Sequence, residues 1–100
     1  MYAYYIWGIV RKNEEELLEM SDETSPILDN VDGLVARYTF SNVEDGITSA
    51  LFLCESQESA ENVKVKVNEV IEDLDDVVGF TTEFIFKVIE NVNYVPHENN

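Results

Sequence analysis

Residues 34–54, LVARYTFSNVEDGITSALFLC, decide the fold. Side chains at alternate positions of residues 34–41 fall on opposite faces, the period of a β-strand. Residues 47–54 are again rich in branched and aromatic residues, and NVEDG between the two segments is rich in turn formers. Because only a short turn separates them, the two segments are predicted to pair as a β-hairpin.

The residues before the hairpin predict a helix and, ahead of it, a strand. Residues 13–31 carry two helix-start signals: Asn13 as an N-cap followed by acidic residues, and Ser25 followed by Pro26. A broken or kinked helix is therefore expected, with Leu17, Leu18 and Met20 on its buried side. The aromatic and β-branched segment 2–11 is predicted as the first strand.

The residues after the hairpin predict a second helix and a last strand. Apolar residues recur at intervals of three and four from Ala60 to Leu74, within residues 56–76. Inside this range VKVKV (63–67) has a period of two, and its valines favour a strand. The helix is preferred, since a strand as long as the apolar stripe would be unusual. Residues 80–90 are predicted as the last strand.

The predicted order β-α-β-β-α-β is the split βαβ arrangement of a ferredoxin-like α+β fold. It places a four-stranded antiparallel sheet beneath two helices that lie on one face. One hundred residues suit a single domain, assigned to residues 1–92, with residues 93–100 as a C-terminal tail.

Both faces of the predicted sheet are largely apolar. In the first strand Tyr2 and Tyr4 share one face, while Tyr5 and Trp7 share the other. Two helices cover only one face, and the uncovered face would expose more apolar area than a soluble monomer normally does. A second copy packed sheet against sheet is the simplest cover, so the sequence predicts a homodimer.

Charge is the most extreme feature of the composition. Twenty-one acidic and six basic residues give a net charge of −15 at pH 7. This balance repels phosphate groups, which argues against nucleic acid and anionic membranes as partners. The acidic residues are interpreted as a solvated surface, with a docking face or adaptation to high salt as alternatives. The acidic runs 14–16 and 72–76 lack the spacing of a calcium loop, so no metal site is predicted.

Single residues and missing segments narrow the chemistry and the location. No segment reaches the roughly 18 uncharged apolar residues of a membrane span, and the N-terminus does not resemble a signal peptide. Cys54 is the only cysteine, which excludes an intrachain disulfide and fits a reducing cytoplasm. His97 is the only histidine and lies in the tail, which excludes a His-based triad or a multi-His metal site within one chain. A cytoplasmic protein without a cofactor is expected.

Residues 31–62, VDGLVARYTFSNVEDGITSALFLCESQESAEN, resemble the antibiotic biosynthesis monooxygenase-like domains of the dimeric α+β barrel superfamily. The likeness is a helix that ends at Gly33, a hairpin, and a return strand that enters a helix beginning ES-x-E-x-A. The resemblance implies two chains whose sheets pair into a barrel that holds a small hydrophobic molecule. Some members are oxygenases that use neither metal nor flavin, and relatives degrade haem. Active members often carry a Trp where this chain has Cys54 and a His on the following helix, which here (Ser56 to Asp76) has none.

Six residues are candidates for ligand contact, and no catalytic residue is assigned: Tyr5, Trp7, Arg37, Thr39, Cys54 and Glu83. Tyr5 and Trp7 share a face and could flank an aromatic ligand, or could be dimer core. If the strand face that carries Arg37 and Thr39 lines the dimer interior, the guanidinium needs an anion, either Glu83 or a ligand carboxylate or enolate. If that face points outward, Arg37 is a surface cation.

The remaining candidates could carry chemistry or be structural. Cys54 is a possible nucleophile or a buried inert thiol, and Glu83 is the candidate general base. Three functions follow: a module that binds a small hydrophobic molecule between the sheets, a cofactor-independent monooxygenase-like enzyme, and a non-catalytic interaction dimer with an acidic surface. The missing Trp and His place the enzyme behind the other two.

Overall fold

The computed structural model describes residues 1–42, 44–74 and 76–89 of the chain. The elements are β1 (Tyr2–Val10), α1 (Glu14–Leu28), β2 (Leu34–Asn42), β3 (Ile47–Cys54), α2 (Gln57–Ile71), a 3₁₀ turn (Glu72–Leu74) and β4 (Val78–Lys87). The predicted element order and the α+β ferredoxin-like fold are confirmed. Residues 93–100, with His97, lie outside the described residues, so the boundary of the predicted tail stays a prediction. No helix in the described ranges is long and apolar enough to cross a membrane.

The four strands form one antiparallel sheet in the order β2-β3-β1-β4. Tyr4 lies opposite Phe52 of β3, and Tyr5 lies opposite Leu51. The face that carries Tyr4 and Phe52 packs against the helices and is called the helix face. The face that carries Tyr5 and Leu51 is called the open face. The core of the helix face consists of eight residues: Tyr4, Ile6, Leu28, Phe52, Cys54, Ala60, Val63 and Val67.

Helix α1 is one continuous helix, so the predicted break is wrong. Asn13 caps it as predicted, since its Oδ1 accepts a hydrogen bond from the backbone N–H of Glu16 at 2.9 Å. Ser25 is not a second cap: its hydroxyl donates to the carbonyl of Ser21 at 2.6 Å inside the helix. Pro26 lies in the last turn, where its missing N–H leaves one carbonyl of the previous turn without a helical partner. The helix tolerates this because it ends two residues later.

The buried side of α1 was predicted only in part. Leu17 is buried and Met20 is half-buried, but Leu18 is 59% exposed. Consecutive residues of a helix point about 100° apart, so Leu17 is buried while the neighbouring Leu18 remains largely exposed.

Helix α2 resolves the conflict over VKVKV in favour of the helix. Ser56 caps α2 by accepting a hydrogen bond from the backbone N–H of Ser59 at 3.1 Å. Val63 and Val67, four residues apart, are buried on one side, while Val65 between them is exposed. Tertiary burial at helical spacing therefore overrides the β-propensity of the valines.

Candidate binding cavity

A cavity of about 190 Å³ lies between the helix face of the sheet and the two helices. Short side chains create it: Ala50 of β3 and Thr39 of β2 are paired at its floor. Neither fills the space beneath α1. Most of the lining is aliphatic or aromatic, from Ile6, Leu17, Leu28, Phe52, Val67, Val70, Ile71 and Phe80.

One side of the cavity carries hydroxyl groups. The Ser41 and Thr48 hydroxyls, paired across β2 and β3, share a hydrogen bond of 2.8 Å. The hydroxyl of Thr24, on α1, donates to the carbonyl of Met20 at 2.9 Å. Each hydroxyl has two lone pairs in addition to its one proton, so this side offers neutral hydrogen-bonding groups.

Arg37 lines the cavity and is held by α1. Its Nε lies 2.8 Å from Oδ1 of Asp29, and its Nη2 lies 3.1 Å from Oδ2 of the same carboxylate. Nη2 also donates to the hydroxyl of Ser25 at 2.9 Å. The two parallel contacts to Asp29 form a bidentate ion pair, and the Arg37 side chain is only 18% exposed. The anion beside Arg37 is therefore Asp29, and not Glu83, which was one of the alternatives considered for a guanidinium inside a dimer.

Glu83 belongs to a different group of side chains on the helix face. Its Oε2 accepts hydrogen bonds from the hydroxyl of Tyr4 at 2.5 Å and from Nδ2 of Asn68 at 3.4 Å. Its Oε1 lies 3.6 Å from Nζ of Lys64. Burial raises the pKa of the Tyr4 phenol above its ordinary value, and the hydrogen bond to Glu83 and the negative charge there raise it further. Glu83 is not among the residues that line the cavity, which leaves its role as a general base without a substrate position.

Cys54 is buried at the end of β3, with its thiol 3.8 Å from the carbonyl of Phe52. Burial raises the pKa of this thiol, and the thiolate is the nucleophilic form. Cys54 does not line the cavity. These observations favour the inert thiol over the nucleophile.

Tyr5 and Trp7 lie on the open face, on the far side of the sheet from the cavity. The Tyr5 ring stacks on Phe84 with a centroid separation of 6.5 Å, and its hydroxyl donates to Ser49 at 3.2 Å. The six candidates therefore do not form one site: of them, only Arg37 and Thr39 line the cavity. Whether any of the six contacts a ligand stays a prediction.

An acidic groove runs between α1 and the 3₁₀ turn, and its lining includes some residues of each of the acidic runs 14–16 and 72–76. Its carboxylates come from Glu15, Glu16, Glu19, Glu23, Asp73 and Asp76. Over the residues that the structure describes, no group of three or more metal-ligating side chains is arranged to hold a metal ion. These carboxylates form a solvated surface.

The sequence is matched by no protein-family model and by no curated protein. Solved structures do match. SnoaB, a cofactor-independent oxygenase from Streptomyces nogalater, superposes with a TM-score of 0.74 at 8% identity, over 91% of this chain and 95% of SnoaB. A putative antibiotic biosynthesis monooxygenase from Nitrosomonas europaea has a TM-score of 0.71 at 12% identity, over 90% of this chain and all (100%) of that one. Rv0793 from Mycobacterium tuberculosis has a TM-score of 0.68 at 7% identity, over 93% of this chain and 100% of Rv0793.

The chain has the antibiotic biosynthesis monooxygenase-like fold. The resemblance drawn from residues 31–62 is confirmed as a likeness of fold. Sequence identities this low indicate a shared fold but do not indicate a shared activity. Among the residues that the structure describes, a mostly apolar space of a size suited to a small molecule lies under α1 and α2, bounded by the helix face.

Proposed function

We propose that the protein binds a small hydrophobic molecule in the cavity between the helix face and the two helices, and that it acts as a homodimer joined through the open face. The cavity is the observation that carries the proposal: it is mostly apolar, and its polar lining residues all come from α1, β2 and β3. An apolar pocket with a small number of placed polar groups is the usual form of a small-molecule site.

The volume of the cavity sets the size of the ligand. A dry protein cavity of about 150 Å³ binds benzene, whereas pockets for drug-sized ligands begin at about 300 Å³. The volume here is about 190 Å³, which suits a molecule of one ring rather than a multi-ring one. This location differs from the one expected from the sequence, which was the space between two paired sheets.

A titration with toluene, followed by the amide resonances of a ¹⁵N-labelled sample, tests the proposal. We expect shifts at Ile6, Phe52 and Val67, which line the cavity from three elements. Ala50→Leu fills the floor and should abolish these shifts. Asn62→Leu adds the same kind of side chain at an exposed position of α2 and should leave them unchanged.

Two results would contradict the proposal that a small molecule binds in the cavity. Toluene that shifts no cavity residue in the native protein argues for the non-catalytic interaction dimer, in which only the surfaces act. Toluene that shifts Tyr5 and Leu51 instead would place the ligand on the open face. If Ala50→Leu melts far below the native protein, Thr39→Leu narrows the same floor from β2 and takes its place in the test.

The dimer is proposed because the open face is apolar and has no cover within the described residues. By strand register this face carries four aliphatic side chains, Ile9, Ile47, Leu51 and Leu53. It also carries six aromatic side chains: Tyr5, Trp7, Tyr38, Phe40, Phe84 and Phe86. Tyr38, Phe40, Phe84 and Phe86 are all exposed. None of the described strand residues that share this face is charged, in a chain whose net charge is −15. A second copy presents the same uncharged surface, so a twofold pairing hides both faces at once.

A cofactor-independent oxygenase is the second candidate, and the likeness to SnoaB favours it. Against it, the described residues that line the cavity include no His, Cys or Tyr to accept or donate a proton. Oxygen uptake, measured with any ring compound that binds the cavity, decides between the two. We expect none, and uptake that disappears in Ala50→Leu would favour the enzyme.

A further inference from the structure

The charge of the cavity is set by very few side chains. Of the described residues that line it, only Arg37 and Glu14 are charged at neutral pH. Glu14 is an exposed residue of the first turn of α1. The Arg37 guanidinium, by contrast, is largely buried against α1 and is the group that an anionic ligand would seek.

We propose that Asp29 is a specificity-determining residue, which cancels the charge of Arg37 so that the cavity selects a neutral ligand over a carboxylate. This inference rests on the proposed function, because it concerns the ligand of that cavity. Asp29 acts through Arg37 and does not itself line the cavity.

The geometry of the ion pair explains the selection. Asp29 occupies Nε and Nη2 of Arg37, one of the two edges through which a guanidinium recognises a carboxylate in bidentate fashion. The hydroxyl of Ser25 accepts a hydrogen bond from the other N–H of Nη2, so three of the five N–H groups of Arg37 are engaged. A ligand carboxylate must compete with a carboxylate that the fold holds in place, and does so against a protein of net charge −15. A neutral amide or alcohol meets only the hydroxyls on the same side of the cavity, such as those of Thr39 and Thr48.

Benzamide and benzoate test this proposal, because they share size and shape and differ in charge at neutral pH. Their dissociation constants are measured by titration of the cavity amide resonances. The native protein should bind benzamide more tightly than benzoate. In Asp29→Asn the ratio of the benzoate dissociation constant to the benzamide dissociation constant should fall about fivefold. This is the effect of one partly screened charge at close range. Asp32→Asn removes an equal charge from an exposed position nearby and should leave the ratio unchanged.

The double variant D29N/R37Q separates a charge effect from a structural one. It should return the ratio to that of the native protein, because no guanidinium remains to be exposed. Benzoate binding more tightly than benzamide in the native protein, or a ratio unmoved in Asp29→Asn, overturns the inference while the cavity stands. If neither compound shifts a cavity resonance in any variant, the proposed function fails and the inference fails with it.

Discussion

Phe40→Glu is the substitution that tests the dimer most directly. Phe40 lies on the open face of β2, opposite Ser49, and its side chain is 55% exposed. The ring therefore contributes little to the packing of one chain, yet it belongs to the surface that a second copy would cover. Glutamate at this position would place a charge on the β2 side of a face that otherwise carries no charged strand residue among those described.

The size of the effect follows from the exposed area. An aromatic side chain buries about 200 Å², so the exposed part of Phe40 is roughly 110 Å². At about 25 cal/mol per Å² its burial contributes roughly 2.7 kcal/mol, and a twofold dimer contains the ring twice. Area converts to affinity incompletely because association also costs entropy, so we take about half of the total, roughly 2.7 kcal/mol. The dissociation constant of the dimer should then rise about a hundredfold.

Sedimentation velocity over a series of micromolar concentrations measures this change. The control is Val65→Glu, since Val65 is 56% exposed on α2 and the substitution adds the same charge on the opposite side of the molecule. We expect the native protein and Val65→Glu to sediment as dimers at concentrations where Phe40→Glu is a monomer. A native protein that is monomeric throughout, or equal dissociation of the two variants, would refute the reasoning.

Three further tests concern Tyr4, the glycines 33 and 46, and Trp7. Tyr4→Phe removes the hydrogen bond to Glu83 and should lower the free energy of unfolding by about 2 kcal/mol in urea titrations. Burial raises the pKa of Tyr4 in the folded state, so the extra stability of the native protein over Tyr4→Phe should be complete below about pH 10 and decline above it. Gly33→Ala should destabilise more than Gly46→Ala: both glycines have positive φ, at 84° and 70°, but only the Cβ at residue 33 meets a side chain, that of Ser59. Trp7 emission should change when the protein is diluted through the dimer dissociation constant and should not respond to toluene, since Trp7 is on the open face.

Each of these outcomes has a result that contradicts it. A loss below about 0.5 kcal/mol in Tyr4→Phe would mean that the phenol is well solvated in the native protein. Equal destabilisation of the two glycine variants would mean that Ser59 moves aside at no cost. Quenching of Trp7 by toluene, with no change on dilution, would place the ligand between the sheets.

Much of the fold could be predicted because local signals and burial agree along the chain. The caps at Asn13 and Ser56 and the alternation in the hairpin all lie where the structure places them. The error in α1 has a local cause: Ser25 followed by Pro26 is a start signal, yet the same pair is compatible with the last turn of a helix that is about to end. Only the packing of Leu28 against the core decides between the two.

The site could be predicted much less well, because its position depends on space and not on reactive side chains. Ala50 and Thr39 matter to the cavity through what they leave empty, and a sequence gives no signal for a residue that fails to fill a volume. The two-residue period of a strand correctly places Tyr4 and Tyr5 on opposite faces of the sheet, but it does not indicate which of these faces the helices cover. For the same reason the partner of Arg37 was missed: Asp29 comes close only once α1 lies over β2.

The helix face leaves a cavity unfilled, whereas the open face leaves an apolar area uncovered. This difference supports a different proposed occupant for each face. On the helix face the unfilled space is a volume of about 190 Å³ between the sheet and the helices α1 and α2, a size that suits a small molecule. On the open face it is an area, with exposed rings on both edge strands, from Phe40 on β2 to Phe84 on β4. A one-ring molecule could cover only a fraction of that width, whereas a second sheet spans it. Tyr5 and Trp7 of β1 therefore lie on the face that we propose as the dimer interface, while the proposed ligand site is on the other face, where the lining is mostly apolar.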